Sequence, residues 1–138
     1  MAYLIDSDIL IYSIKGNPRI NQRIADLSAI PKAISIITYG ELLYGAKKSK
    51  QAEKNSSIIY RIAEIFSIIG ISRAIIETFV ELKVSLERKG QRLDDFDLMI
   101  AATALSLNYT LVTNNSTHFR RIEGIDLKLN EFIKFEEL

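Results

Sequence analysis

Cysteine is missing from all 138 residues, and histidine occurs once. The first absence excludes disulfide frameworks, thiolate zinc sites and cysteine nucleophiles together. The second leaves too few nitrogen ligands for zinc chemistry. Both fit a reducing cytoplasm. Proline is scarce too, two in all beside six glycines, and no low-complexity tract or fixed-period repeat offers a place to divide the chain. A single domain over residues 1–138 is therefore expected, long enough to bury one core without staples. No run approaches the roughly 18 uninterrupted apolar residues of a membrane span, and Met1 to Ile5 lacks the charged start and long apolar segment of a signal peptide. A soluble, unexported protein with no membrane partner is the expectation. Charge of one sign is also lacking. The formal net charge of +1 neither demands nor excludes nucleic acid.

What is present is 48% hydrophobic residues, gathered in short runs. AYLI is a strand-type run ended by Asp6-Ser7-Asp8, a polar cluster suited to capping the apolar ILIYSI that follows. A Gly16-Asn17-Pro18 break leads to a short helix, after which Pro31 precedes AISII, a β-branched second strand. Thr38, three residues before Glu41, has the spacing of a capping box opening the helix YGELLYGAKK. A further helix spans Glu53 to Phe66, with Ile58, Ile62 and Ile65 on one face. SIIGI is a third strand. Ser72 caps a helix carrying Ile75, Phe79, Leu82 and Leu86, stopped by Arg88, Lys89 and Gly90. Asp94 caps a helix from Asp95 to Leu107 that is apolar nearly all round, YTLVT is a fourth strand, and IDLKL is a candidate fifth at an edge. Short apolar strands alternating with helices predict an α/β fold, a three-layer α/β/α sandwich around a mostly parallel sheet.

Ligands of such sheets collect beyond the carboxyl ends of the strands. Three acids meet that test: Asp6 directly after the first strand, Glu41 in the first turn after the second, and Asp97 in the first turn of the helix after Gly90. Singly, each has an ordinary structural reading as a turn or cap residue. Together they would repel and raise one another's pKa, a cost best relieved by a cation between them. Magnesium suits that place, because it prefers oxygen and needs only one or two protein carboxylates. All three acids are expected within coordination range of one ion.

The segments LIDSDILIYSIKG, SIITYGELLYGAKKS and DDFDLMIAATALSLNYTLVTNNSTHFRRIEGI, in this order, resemble the PIN domain, specifically toxins of the VapC type. The similarity spans nearly the whole chain. It implies a compact sandwich with a central parallel sheet, Mg2+ or Mn2+ held by acids, and cleavage of single-stranded RNA by water. Asp6, Glu41 and Asp97 match the family's first three acids. A small cognate antitoxin inserting toward the acidic cleft, and a homodimer, are further implications of the resemblance. The fourth acid found in many relatives just after the fourth strand is replaced here by Asn114, Asn115 and His118. Asn115 could hold a metal-bound water, and Asp95 could lend a fourth carboxylate. His118 reads first as a surface or packing residue, and Asp8 as a helix cap where relatives often carry Asn.

The implied chemistry is hydrolysis of a phosphodiester, with the cation polarising a non-bridging oxygen and activating water. Asp6 and Asp97 are the candidate direct ligands, and Glu41 either binds through water or orients the nucleophile. Ser7 and Thr113 could order the site through their hydroxyls. Arg19, Arg23, Lys47, Lys48, Arg120 and Arg121 could pair with phosphates, although KKSKQAEK reads first as a solvated helix face. Three alternatives differ in function: an inactive PIN-like module that binds RNA without cutting it, a nuclease acting on DNA or in ribosomal-RNA processing, and a flavodoxin-like receiver, for which a phospho-acceptor Asp and partner Lys are not evident.

Overall fold

Strands of three or four residues bury too little to persist alone, so they depend on pairing and on cover from both faces. The computed structural model describes residues 2–26 and 28–122, and its four strands meet both needs. In chain order the elements are β1 (Tyr3–Ile5), α1 (Ser7–Ile14), α2 (Pro18–Asp26), β2 (Lys32–Ser35), α3 (Ile36–Lys48), α4 (Ala52–Ile65), β3 (Ser67–Ile69), α5 (Arg73–Arg88), α6 (Asp95–Leu107), β4 (Thr110–Val112) and α7 (Ser116–Phe119). The strands form one sheet in the order β3-β2-β1-β4, and every pairing is parallel.

Because successive strand side chains point to opposite faces, each strand feeds two cores. Tyr3, Ile5, Ile34 and Val112 pack with Ile9, Leu10, Leu42 and Ile59 from α1, α3 and α4. Leu4, Ala33 and Leu111 pack instead with Leu86 of α5 and Leu98 and Ala101 of α6, joined by Phe119. The α/β/α sandwich expected from the alternation of strands and helices is the one observed. Leu111 is fully buried in β4, so Leu111→Ala should cost ~2–5 kcal/mol in denaturant unfolding, the range for removing a core leucine side chain. Among the described residues no helix is long and apolar enough to cross a membrane.

The strand order places the site. From β1 the chain moves to β2 and then β3, after which α5 and α6 return it across the sheet to β4 on the other side of β1. The reversal lies between β1 and β4, and there the carboxyl ends of the two strands open a crevice.

Four sequence expectations need amendment or fall outside the description. The second strand stops at Ser35, whose hydroxyl accepts from the Ile37 N–H at 3.0 Å and caps α3. Thr38 is therefore inside the helix and no capping box forms with Glu41, which lies beyond the first turn. Ile36 and Ile37 are helical despite their strand preference, an override by tertiary packing of a weak local bias. On α4 the buried face is Ser56, Ile59 and Ile62, while Ile65 is 70% exposed in the last turn. The IDLKL segment lies outside the described residues.

Candidate active site

Asp6 ends β1 and caps α1, so its carboxylate is fixed at the crevice by two elements at once. Its Oδ1 accepts from the Ser7 N–H at 2.8 Å. The β1–β4 register pairs Ile5 with Val112, which brings the next residues, Asp6 and Thr113, side by side. Thr113 Oγ1 donates to Asp6 Oδ2 at 2.7 Å. Only 5% of Asp6 is exposed. Burial raises its pKa above the ordinary carboxylate range, the Thr113 and Ser7 hydrogen bonds pull it down, and the charge of Asp97 pushes it up again.

Asp97 stands at the third position of α6. Asp94 caps that helix, as expected, by accepting from the Phe96 N–H at 3.1 Å. Burial raises the Asp97 pKa, contact with His118 lowers it, and Asp94 raises it. Glu41 approaches from α3. Helical Cα–Cβ bonds tilt toward the N-terminus, so a residue in the second turn still leans back toward the sheet end. Burial first, then the charges of Asp6, Asp97 and Asp94, push Glu41 up to about 7, and its Oε1 is buried without a hydrogen-bond partner.

The residue the sequence reading undervalued is Asp8. The cap of α1 is Asp6, and Asp8 turns into the crevice, where Oδ1 accepts from the Ile9 N–H at 2.7 Å and Oδ2 from the Asn114 N–H at 2.9 Å. Burial and the neighbouring Asp6 charge push it up to about 7. The available signal was its place two residues after Asp6 at a strand end. Asp6, Ser7, Asp8, Asp97, Asn114 and Asn115 line a cleft of about 230 Å³. Asn115 thus lies where a water-mediated contact was expected.

Asp95 does not reach this cleft. Its carboxylate is 3.0 Å from Lys83 Nζ on α5 and lines a separate depression with Lys83 and Arg92, because helical residues two positions apart, as Asp95 and Asp97 are, point about 200° apart. Asp95→Ala should change stability by less than about 1 kcal/mol, as for most exposed ion pairs; thermal unfolding checks this. Among the expected phosphate contacts, Lys47 and Lys48 lie over the rings of Tyr60 and Tyr44, and Arg121 donates to the Arg92 carbonyl at 3.0 Å.

The four acids share one field without forming a closed cage: among the described residues no three acidic or histidine side chains converge as a ready metal-holding group. The expectation of three carboxylates within range of one ion is corrected on this point, since Glu41 lines two other grooves, beside Leu42 and Tyr44, rather than the cleft itself. A cation that keeps most of its waters still fits. The donors are all oxygen, one or two carboxylates suffice, and the unpartnered Glu41 Oε1 is the acceptor a bound water would satisfy.

The family described as PIN domain matches residues 3–125. Ribonuclease VapC2 of Rickettsia felis is 37% identical over 130 residues, covering 93% of this chain and 97% of the relative. The tRNA(fMet)-specific endonuclease VapC of Shigella flexneri is 30% identical over 125 residues, covering 91% and 95%. Among solved structures, VapBC2 from Rickettsia felis bound to a promoter DNA fragment superposes with a TM-score of 0.87 at 35% identity, covering 93% of this chain and 98% of that one. Nucleases of this family are in general dependent on a divalent metal.

Proposed function

This chain belongs to the PIN domain family, and from that premise we propose that it is an endoribonuclease of a single domain, the toxin of a toxin–antitoxin pair, with Asp6, Asp8, Glu41 and Asp97 as its acidic site. The observation that carries the reading is the placement of these acids, drawn from three distant segments, at the sheet's reversal point with every pKa raised. A fold bears carboxyls that burial first, and neighbouring acids second, make costly to ionise, and the charge a divalent cation brings is the simplest reason.

Asp6 and Asp97 line the cleft and supply the direct ligands, Mg2+ being the expected ion and Mn2+ the substitute. When bound, the cation brings positive charge to the phosphodiester oxygens and activates water for attack. Glu41, outside the cleft lining, would act on the cation only through an intervening water, for which its unpartnered Oε1 is the acceptor. Thr113 and Ser7 hold Asp6 in one orientation. With metal supplying the activation, the absence of a cysteine and the single histidine cost the mechanism nothing. The site acts on RNA in the cytoplasm, and relatives crystallised as VapBC complexes support a small antitoxin as partner. A basic antitoxin side chain entering the cleft would compete for the same negative field. A homodimer completes the proposed assembly.

Incubating the purified protein with single-stranded RNA and with single-stranded DNA, in Mg2+ and in EDTA, tests the reading. RNA fragments formed only with Mg2+ are expected. Cleavage of DNA alone would reassign the substrate, and binding of RNA without cleavage would make this a recognition module.

A further inference from the structure

The loop after β4 joins the two acids that the proposed function assigns to the cation. From Asp6 the path runs to Thr113 Oγ1 at 2.7 Å, and that hydroxyl in turn accepts from the Asn115 N–H at 3.0 Å. Asn115 Nδ2 lies 2.8 Å from His118 Nδ1, and the same ring nitrogen lies 3.5 Å from Asp97 Oδ2. Asp8 secures the loop's other corner through the Asn114 N–H at 2.9 Å. Phe119, next to His118 and fully buried, anchors the short helix α7 in the core. His118 therefore sits on a backbone tied down on both sides.

Resting on the nuclease reading of this site, we propose that His118 is a positioning residue that orients the Asp97 carboxylate through Nδ1, backed by Asn115. The case begins with Asp97 itself. Among the described residues, His118 is the one basic side chain placed beside its carboxylate, with Nδ1 3.5 Å from Oδ2. Without that contact an aspartate on the first turn of a helix has several rotamers open to it, and a ligand that must adopt one of them binds metal less well.

The shared nitrogen fixes the ring's tautomer. A lone pair on Nδ1 would accept from Asn115 but face the Asp97 carboxylate with like charge. A proton on Nδ1 faces Asp97 favourably and is accepted equally well by Asn115 once its amide is turned over, since amide O and N exchange places in a half-turn. Two acceptors around one N–H is the arrangement the carboxylate selects. His118 then holds Asp97 with Nδ1–H and leaves Nε2 toward solvent, its side chain being 45% exposed.

The single histidine makes the test direct, because its ring nitrogens give the only imidazole signals in a nitrogen–proton correlation spectrum. In the full metal-free chain the spectrum should show the Nδ1–H tautomer, and Asp97→Ala should shift it toward the Nε2–H form usual in water. An identical spectrum in both proteins would overturn the proposal. Kinetics supply a second arm. His118→Ala should lower kcat by about 10–100-fold, the usual effect of removing a ligand's supporting partner, raise the Mg2+ concentration needed for half-maximal rate, and leave KM for RNA unchanged. His118→Asn places an amide donor at the Nδ1 position and should restore the rate, whereas His118→Gln places it at the Nε2 position and should not. Rescue by Gln instead of Asn would show that the outer nitrogen touches substrate, and wild-type rates in all three variants would show a surface histidine; either result overturns the proposal. Failure of the wild type to cleave RNA would count against the nuclease reading alone, leaving the spectra to decide the role of His118.

Discussion

Asp6→Asn and Asp97→Asn are each expected to lower RNA cleavage by roughly 10²–10³-fold, the scale of losing one group that stabilises the transition state, while leaving the metal-free fold as stable as before or more so. For Asp6 the second half follows from its hydrogen bonds. An asparagine can still accept from the Ser7 N–H with Oδ1, and its Nδ2 can donate to Thr113 Oγ1 in place of the present bond from that hydroxyl. The first contact survives and the second is kept with its direction reversed, which offsets part of the gain, while a buried charge beside Asp97 is removed. Asp97 is less buried, so its relief is smaller but has the same sign. Initial rates in Mg2+ together with thermal unfolding in EDTA measure both halves. Unfolding of both variants would mean that these carboxylates hold the fold together.

Metal-free stability should fall as pH rises toward 8, and a divalent cation should reverse the fall. Asp8 and Glu41 are pushed up to about 7 from ordinary values of 3.8 and 4.5. Between those values and 7 the native carboxyls hold protons that the unfolded chain has released, so each rise in pH draws the equilibrium toward the unfolded chain. Their favourable contribution is complete below about pH 4 and is lost as pH passes through 7. A cation that binds only the folded site adds stability where the carboxylates are ionised. Melting temperatures from pH 5 to 8, in EDTA and in Mg2+, should therefore diverge with rising pH, and Glu41→Gln should flatten the EDTA curve. Parallel curves would mean that the acids do not share a cation site.

The parts of the fold set by local chemistry were legible in the sequence. Asp94 and Ser72 stand at the caps expected of them, and Gly90 has the positive φ of a chain stop. The strand-end rule led to Asp6, and the helix start after Gly90 led to Asp97. What local chemistry leaves open, packing decided. Ser35 and Thr38 are equivalent as caps by residue type, and pairing of Ser35 with Ile69 across β2 and β3 settles which one begins the helix. Asp95 and Asp97 share the first turn of one helix, and the sequence offered both to the site; the direction of each side chain sends Asp95 to Lys83 and Asp97 to the cleft. Asp8 read as a cap because its partner, the Asn114 N–H, lies at the other end of the chain. The same long-range pairing hid the contact between His118 and Asp97.

The most direct test is the free Mn2+ signal in electron paramagnetic resonance as the ion is added to EDTA-stripped wild type and to the Asp6→Asn/Asp97→Asn double variant, followed by competition with Mg2+. Saturable loss of signal in the wild type, reversed by Mg2+ and absent from the folded double variant, is the predicted result. Equal binding by both proteins, or none by either, would contradict a cation site built from these acids.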